Sequence, residues 1–367
     1  MRAIEHFEQT VSWARAHERQ LSALSLAGGF AFDSYSFGRI DRPLTQLVFI
    51  VYLLIAGTAI AVLHWLESRG DHRKPSDRTR AILIAIAQFA LGCLLSGFCV
   101  FYIRSASITA SWPFIFFMAG IFIGNEYMRR YHARLVFSAL LFFFCLYSYA
   151  ILLVPVVIAR IGTVPFLMSG TLAVVVFFFF IRLLAILGQD RYREARRQIA
   201  IGMGIIAALI NAFYFAKIFP PLPLVLSDAG IYHEVKRAGA NYQAMAEEEP
   251  PRWRALFGTF PVEHVRPGDK LYLYSAVFAP YRLTTEIVHR WEWRDPKNGN
   301  WLPQETIRFT IHGGRADGFR TYSSKRAPYP GEWRVNIATA DGRAIGRVRF
   351  SVETQAVPPA MTEKTLR

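Results

Sequence analysis

The sequence predicts a two-part chain: a polytopic α-helical transmembrane bundle of six or seven helices, followed by a soluble immunoglobulin-like antiparallel β-sandwich. Three observations predict it. Apolar stretches of membrane-spanning length fill residues 21–219. Lys and Arg concentrate in alternate loops between those stretches. From about Thr259 the apolar period changes to two, the period of a half-buried strand. Composition agrees: 53% of residues are hydrophobic and only 19% charged, and mean hydropathy is +0.24. Such values exclude disordered, coiled-coil and collagen-like chains.

Residues 1–20 repeat Ile4, Phe7, Val11 and Ala14 at helical spacing among charges of both signs. This is the pattern of an amphipathic helix on a membrane surface, not of a signal peptide. Leu21–Phe32 is a short apolar piece, a candidate seventh membrane segment. Six longer stretches follow: Leu44–Trp65, Ala81–Ile103, Ile108–Gly124, Leu135–Ile158, Val164–Leu187 and Ala200–Phe219. A helix needs about 20 apolar residues to cross a bilayer.

Loop charges orient these spans. Arg69, Arg73, Lys74, Arg78 and Arg80 lie in the first loop, Arg129, Arg130 and Arg134 in the third, and Arg191, Arg193, Arg196 and Arg197 in the fifth. The opposite short loops carry Arg104 and Arg160, so the bias is twelve to two and the first set faces the cytoplasm. Seven segments put the N-terminus inside and the C-terminal domain outside. The net charge of +15 therefore reads as a topology signal, and no nucleic-acid partner is expected. The three cysteines, Cys93, Cys99 and Cys145, sit in apolar runs as small hydrophobes.

Residues 220–256 read as a linker or membrane-proximal segment, residues 257–355 as the sandwich and residues 356–367 as a flexible tail. Strands are expected at 271–278, 285–293, 305–311, 319–324, 332–339 and 345–353, separated by turn sequences such as RPGD, DPKNGN and PYPG, with a further strand near 260–265.

The ordered strings VHRWEW, IHGGRADGFRTYSSK, PGEWRVNI and ADGRAIGRVRF resemble the bacterial domain of unknown function 2914. The residues that carry the resemblance are His289 and Trp291, Arg320 with Ser323 and Lys325, Gly331 with Trp333, and Gly342. GGFAFDSYSFGRID and GNEY resemble the membrane part of the same proteins. The resemblance implies a multi-pass protein of the bacterial inner membrane with a soluble β domain, and implies no activity.

Candidate polar groups in the membrane are Asp33, Arg39, Asp41, Asn125, Glu126 and Arg182. They would line a cavity or carry ions; the plainer reading is interfacial anchoring, pairing or snorkelling. Candidate binding residues in the β domain are His289, Trp291, Arg320, Ser323, Lys325 and Trp333. Arg320 with Lys325 and Arg326 would make a basic patch for an anionic envelope component. The plainer reading places the face bearing Ile287, His289, Trp291 and Trp293 in the core. No HExxH, GxSxG, P-loop or GxGxxG motif occurs, and neither metal nor cofactor is expected. The expected function is that of an extracytoplasmic interaction module recognising an envelope protein, glycan or lipid headgroup. The alternatives are a transporter or channel in the bundle, and a membrane enzyme acting on lipid or glycan. The sequence sets no oligomeric state.

Overall fold

The computed structural model describes residues 39–69, 75–105, 108–127, 135–239, 241–247, 260–315, 317–326, 328–356 and 360–366. The expected amphipathic segment, the short apolar piece and Asp33 lie outside them. The chain divides into two compact units, Met1–Ile103 with Pro113–Leu153 and Met168–Asn211, and Arg104–Trp112 with Val154–Leu167 and Ala212–Arg367.

Six helices are described: α1 Pro43–Glu67, α2 Asp77–Ser105, α3 Ile108–Tyr127, α4 Leu135–Ile158, α5 Thr163–Leu187 and α6 Gln189–Phe215. All but α3 are long and apolar enough to cross a membrane, and the apolar stretch of α3 is the shorter Ser111–Asn125. α1 starts with Pro43 in its first turn, where a missing backbone donor costs nothing. α6 begins well before the apolar run: Gly188 alone separates it from α5, so the arginine-rich segment expected as a loop is its first turns.

Within the first unit α4 is mostly buried, and its aromatic residues make the packing. Phe143 meets Phe177 of α5 with ring centroids 4.8 Å apart, and Phe142 meets Phe180 at 4.6 Å. Phe49 of α1 stacks on Phe98 of α2 at 5.2 Å. Two glycines permit close approach. A Cβ on Gly57 would stand 3.2 Å from the Phe142 ring, and one on Gly170 would stand 2.6 Å from the Tyr147 hydroxyl. Helix ends are joined by charge: Glu67, at the end of α1, accepts from Arg80 of α2 at 2.8 Å and from Arg191 of α6. Exposed apolar residues line α5 and the part of α6 beyond its charged first turns, with Leu172, Val176, Phe179, Leu183 and Ile186 outward on α5 and Ile201 and Ile205 on α6.

The second unit holds eleven described strands, β1 Val225–Tyr232, β2 Glu234–Ala238, β3 Asn241–Ala246, β4 Val262–Val265, β5 Lys270–Phe278, β6 Thr284–Arg294, β7 Trp301–His312, β8 Phe319–Arg326, β9 Gly331–Thr339, β10 Ala344–Thr354 and β11 Thr362–Leu366. They form three sheets, ordered β1-β5-β8, β4-β10-β9-β6-β7 and β11-β3-β2. The first two face each other across one core, which includes Leu271, Leu273 and Val277 of β5, Trp291 of β6, Trp333 and Val335 of β9 and Phe350 of β10. The other face of β5 turns Tyr274 and Ala276 to a second core, shared with Tyr232, Val235, Ala244, Ala246 and Leu366. The unit is thus a sandwich with a third layer, and its middle sheet is covered on both faces. The alternation LYLYSAVF reflects two different cores rather than core and solvent.

Helix ends belong to this unit as well. The Arg343 guanidinium, in the β9–β10 turn, lies 3.6 Å from the Tyr214 ring centroid and donates to the Tyr214 carbonyl at 3.0 Å. Phe166 stacks on the same ring at 3.6 Å. Ser105 donates to the Leu224 carbonyl, and Ile161 packs against the sandwich core.

Three expectations are corrected. Residues 220–256 are not a linker, since β1, β2 and β3 lie there. Their sequences hide it: β1 carries a bulge between Leu226 and Asp228, and EVKRA and NYQAMA lack alternating large apolar residues. Residues 356–367 are not simply a tail, because β11 pairs antiparallel with β3 and buries Leu366. The sandwich is not wholly antiparallel either, because β4 runs parallel to β10.

Leu366 lies fully inside the second core, so Leu366→Ala is expected to cost about 2–4 kcal/mol. Glu363→Ala, at an exposed position of the same strand, should stay within about 0.5 kcal/mol. Thermal unfolding of the purified full chain followed by circular dichroism checks both, and equal effects would remove β11 from the folded unit.

Candidate functional site

The outer face of the five-stranded sheet carries an arginine-lined groove. Strand alternation puts Arg290, Glu292 and Arg294 of β6 on that face, since Ile287 and Trp291 point to the core. Register continues it across the neighbours. Arg290 pairs with Asn336 of β9, which pairs with Arg347 of β10; Glu292 pairs with Arg334, which pairs with Arg349. Five arginines therefore share the face with Glu292 and Glu332. Glu292 is buried among them, accepting from Arg334 Nε at 2.5 Å and Asn336 Nδ2 at 2.9 Å, while Arg347 Nε donates to Asn336 Oδ1 at 2.5 Å. The Arg347 pKa is lowered, first by burial and then by the charges of Arg334 and Arg349.

At one end of this face is a cavity of about 320 Å³, lined by Phe260, Arg294, Trp301, Glu332, Trp333, Arg349 and Phe350. It runs across the strands, because Trp301 pairs with Arg294, Trp293 with Trp333 and Trp333 with Phe350. Its rim is ordered by ion pairs and ring contacts. Arg294 donates to Glu332 at 2.8 Å, the Arg334 guanidinium lies 4.2 Å from the Trp301 ring centroid, and that of Arg349 lies 5.5 Å from Phe260. Flat aromatic walls with guanidinium forks suit a ligand that has both apolar faces and negative charge.

The residues singled out from the sequence fall elsewhere, with one exception. His289 is fully buried between the two large sheets: Nε2 lies 2.9 Å from Ser275 Oγ, Nδ1 lies 2.9 Å from Ser323 Oγ, and Trp291 Nε1 donates to the same Ser323 oxygen at 3.0 Å. Thr321 joins through Ser275. The network satisfies polar groups inside the core, and no surface of His289 or Trp291 reaches solvent. Lys325 pairs with Glu305 at 3.5 Å, and Arg320 lies on the face of β8 opposite Thr321 and Ser323. Trp333 is the exception in bordering the groove, although its side chain is fully buried in the sandwich core.

Polar groups in the helices pair locally. Arg39 donates to Asp41 twice, at 3.0 and 2.7 Å, just before α1. Asn125 Nδ2 donates to the Gln88 carbonyl and Gln88 Nε2 to the Asn125 carbonyl, each at 3.4 Å, and Gly92 leaves room for that side chain. Asn211 bonds Tyr147 across α6 and α4 at 3.2 Å. Arg182 is exposed over Phe178, and Glu126 lies in the last turn of α3. Arg39 and Asp41 precede α1, whereas Asn125 lies near the end of α3.

A second cluster escaped the sequence reading. His233, in the bend between β1 and β2, lies 2.8 Å from Glu247 Oε1 and 3.2 Å from Glu263 Oε2 through its Nε2. His264 holds Glu247 from the other side, by its backbone N–H at 2.7 Å to Oε1 and its Nδ1 at 2.7 Å from Oε2. Burial by itself would lower the His233 pKa, but the hydrogen bond and charge of Glu263, with those of Glu247, outweigh it and raise it. Spacings of fourteen and sixteen residues match no metal motif, which is why the cluster was not visible in sequence. The groove arginines were partly visible, as the alternating RWEWR and GRVRF.

Ser323→Ala removes the acceptor of Trp291 Nε1–H and a His289 partner, and is expected to cost about 1–3 kcal/mol. Burial lowers the His289 pKa to about 3. An unfolded chain protonates it near 6.5, so the folded state is favoured above about pH 6.5 and loses that advantage as pH falls toward 3. The stability difference between the wild type and His289→Gln should therefore shrink between pH 7.5 and pH 5. Paired melting curves test this, and a constant difference would contradict the buried neutral imidazole.

Comparison with known proteins bears on the same segment. An immunoglobulin-like protein from Pseudomonas aeruginosa aligns over 33% of this chain and 97% of its own, at 14% identity and a TM-score of 0.19. An alkylpurine DNA glycosylase from Pseudomonas fluorescens, bound to DNA with an abasic site analogue, aligns over 84% of this chain and 98% of its own, at 10% identity and a TM-score of 0.20. Both scores are too low to carry an argument. No curated protein matches the sequence. Residues 284–352 match the family described as "Protein of unknown function (DUF2914)", and every groove residue except Phe260 lies within that match.

Proposed function

We propose that this chain is a multi-pass protein of the bacterial inner membrane that presents its β unit outside the cytoplasm, where the arginine-lined groove binds an acidic glycan of the envelope. The observation that carries the binding claim is the combination of Trp301 and Phe260 walls with Arg294 and Arg349 in one cavity, on a sheet face with five arginines. A pyranose ring offers C–H faces to aromatic rings, and its carboxylate accepts a guanidinium fork. The membrane claim rests on five helices of spanning length, on the exposed apolar surfaces of α5 and α6, and on the twelve-to-two bias of loop charges. Local pairing of the helix polar groups weighs against transport.

The test uses the full chain in nanodiscs of neutral lipid. Titration with a tetragalacturonate is expected to give saturable binding by calorimetry, weakened by salt, with maltotetraose at least ten-fold weaker. Trp301→Ala and Arg349→Met should each lower affinity about ten-fold, or about 1.4 kcal/mol. Absence of saturable binding, equal affinity for the neutral sugar, or indifference to both substitutions would overturn the glycan reading. Selective retention of anionic phospholipid instead would move the ligand to a lipid headgroup.

A further inference from the structure

We infer that His233, Glu247 and Glu263 form a binding site for one divalent first-row transition-metal ion, separate from the groove. One nitrogen and one oxygen from each glutamate lie within 4.8 Å of one another. Ligands of a tetrahedral ion with bonds of about 2.0–2.1 Å stand roughly 3.4 Å apart. The observed separations of 2.8 and 3.2 Å from His233 Nε2 are close to that, so side-chain adjustment of a few tenths of an ångström would admit the ion.

Burial and ligand chemistry make the case. The three side chains expose only 7%, 9% and 6% of their surface. The same imidazole nitrogen faces an oxygen of each of the two carboxylates, all three being metal-ligand atoms. A divalent cation at that point would take one oxygen from each carboxylate and displace the proton from Nε2. The donor set of one imidazole and two carboxylates suits zinc or manganese and leaves a coordination position open to water.

The surroundings are those of a supported site. His264 fixes Glu247 by two contacts of 2.7 Å, and its Nε2 lies 3.6 Å from Glu353 of β10. Such outer contacts orient a ligating carboxylate and set its basicity. The three ligands come from the β1–β2 bend, the end of β3 and the edge strand β4. An ion here would clip the small third sheet to the large five-stranded sheet. The site is therefore a structural fastener within the β unit.

The experiment uses the purified full chain in detergent, stripped with a chelator, exchanged into chelator-free buffer at pH 7.5 and incubated with Zn²⁺ or Mn²⁺ alone. Inductively coupled plasma mass spectrometry after desalting is expected to give one ion per chain, and the melting temperature should rise by about 5 °C or more. Glu263→Gln keeps the shape and removes one charge, and should weaken binding at least about ten-fold, as should His233→Gln. Arg349→Met in the groove should leave ion binding unchanged, which separates this site from the glycan reading. No retained ion with a flat melting temperature would overturn the inference. So would retention undiminished in both cluster variants, or preferential retention of Ca²⁺ over Zn²⁺ and Mn²⁺. Where a variant fails to fold, the wild-type stoichiometry and its melting shift decide.

Discussion

The middle sheet of the β unit packs against a core on each face, and much of the unit follows from that constraint. β5 turns Leu271, Leu273 and Val277 to one core and Tyr274 and Ala276 to another. The polar side chains that this buries must then find protein partners. Ser275, Thr321 and Ser323 do so by surrounding the neutral imidazole of His289 and the Trp291 N–H. The third sheet exists because the second face of β1-β5-β8 is apolar, and β11 closes it by burying Leu366. With its inner surfaces committed to packing, the unit offers ligands the outer face of the five-stranded sheet and the seam beside β4.

Those two places differ in chemistry. The outer face gathers arginines through strand register, with Glu292 buried among them and paired with Arg334. A surface that holds like charges together favours an anion. The seam gathers carboxylates and imidazoles from three segments and favours a cation. At the helix ends a third kind of contact operates within the same unit. Arg343 spans the Tyr214 ring and carbonyl while paired with Asp341 at 2.8 Å, so the β9–β10 turn is tied to the last turn of α6.

The sequence showed most of the architecture because hydropathy and period are local properties. Helix α4 was bounded at Leu135–Ile158 by composition alone, and the strands from β5 to β10 followed from alternation between turn residues. What stayed hidden depends on partners distant in sequence. β2 and β3 read as polar because the core they join is supplied by β5 and β11. His289 and Trp291 were legible as one face of a strand, but only the neighbouring sheet shows that this face is closed by Ser275 and Ser323. His233 and Glu247 both stand, fourteen residues apart, in the segment expected as a linker; folding brings them to Glu263.

The proposed topology puts the β unit outside the cytoplasm and the arginine-rich loops inside it. Its most direct test labels single cysteines in intact spheroplasts with a membrane-impermeant maleimide, after replacing Cys93, Cys99 and Cys145. A cysteine in place of Lys297, in the exposed β6–β7 turn, is predicted to react at once, and one in place of Arg78, at the start of α2, only after permeabilisation. The reverse pattern would contradict the account, placing the groove in the cytoplasm and removing the envelope glycan as its ligand.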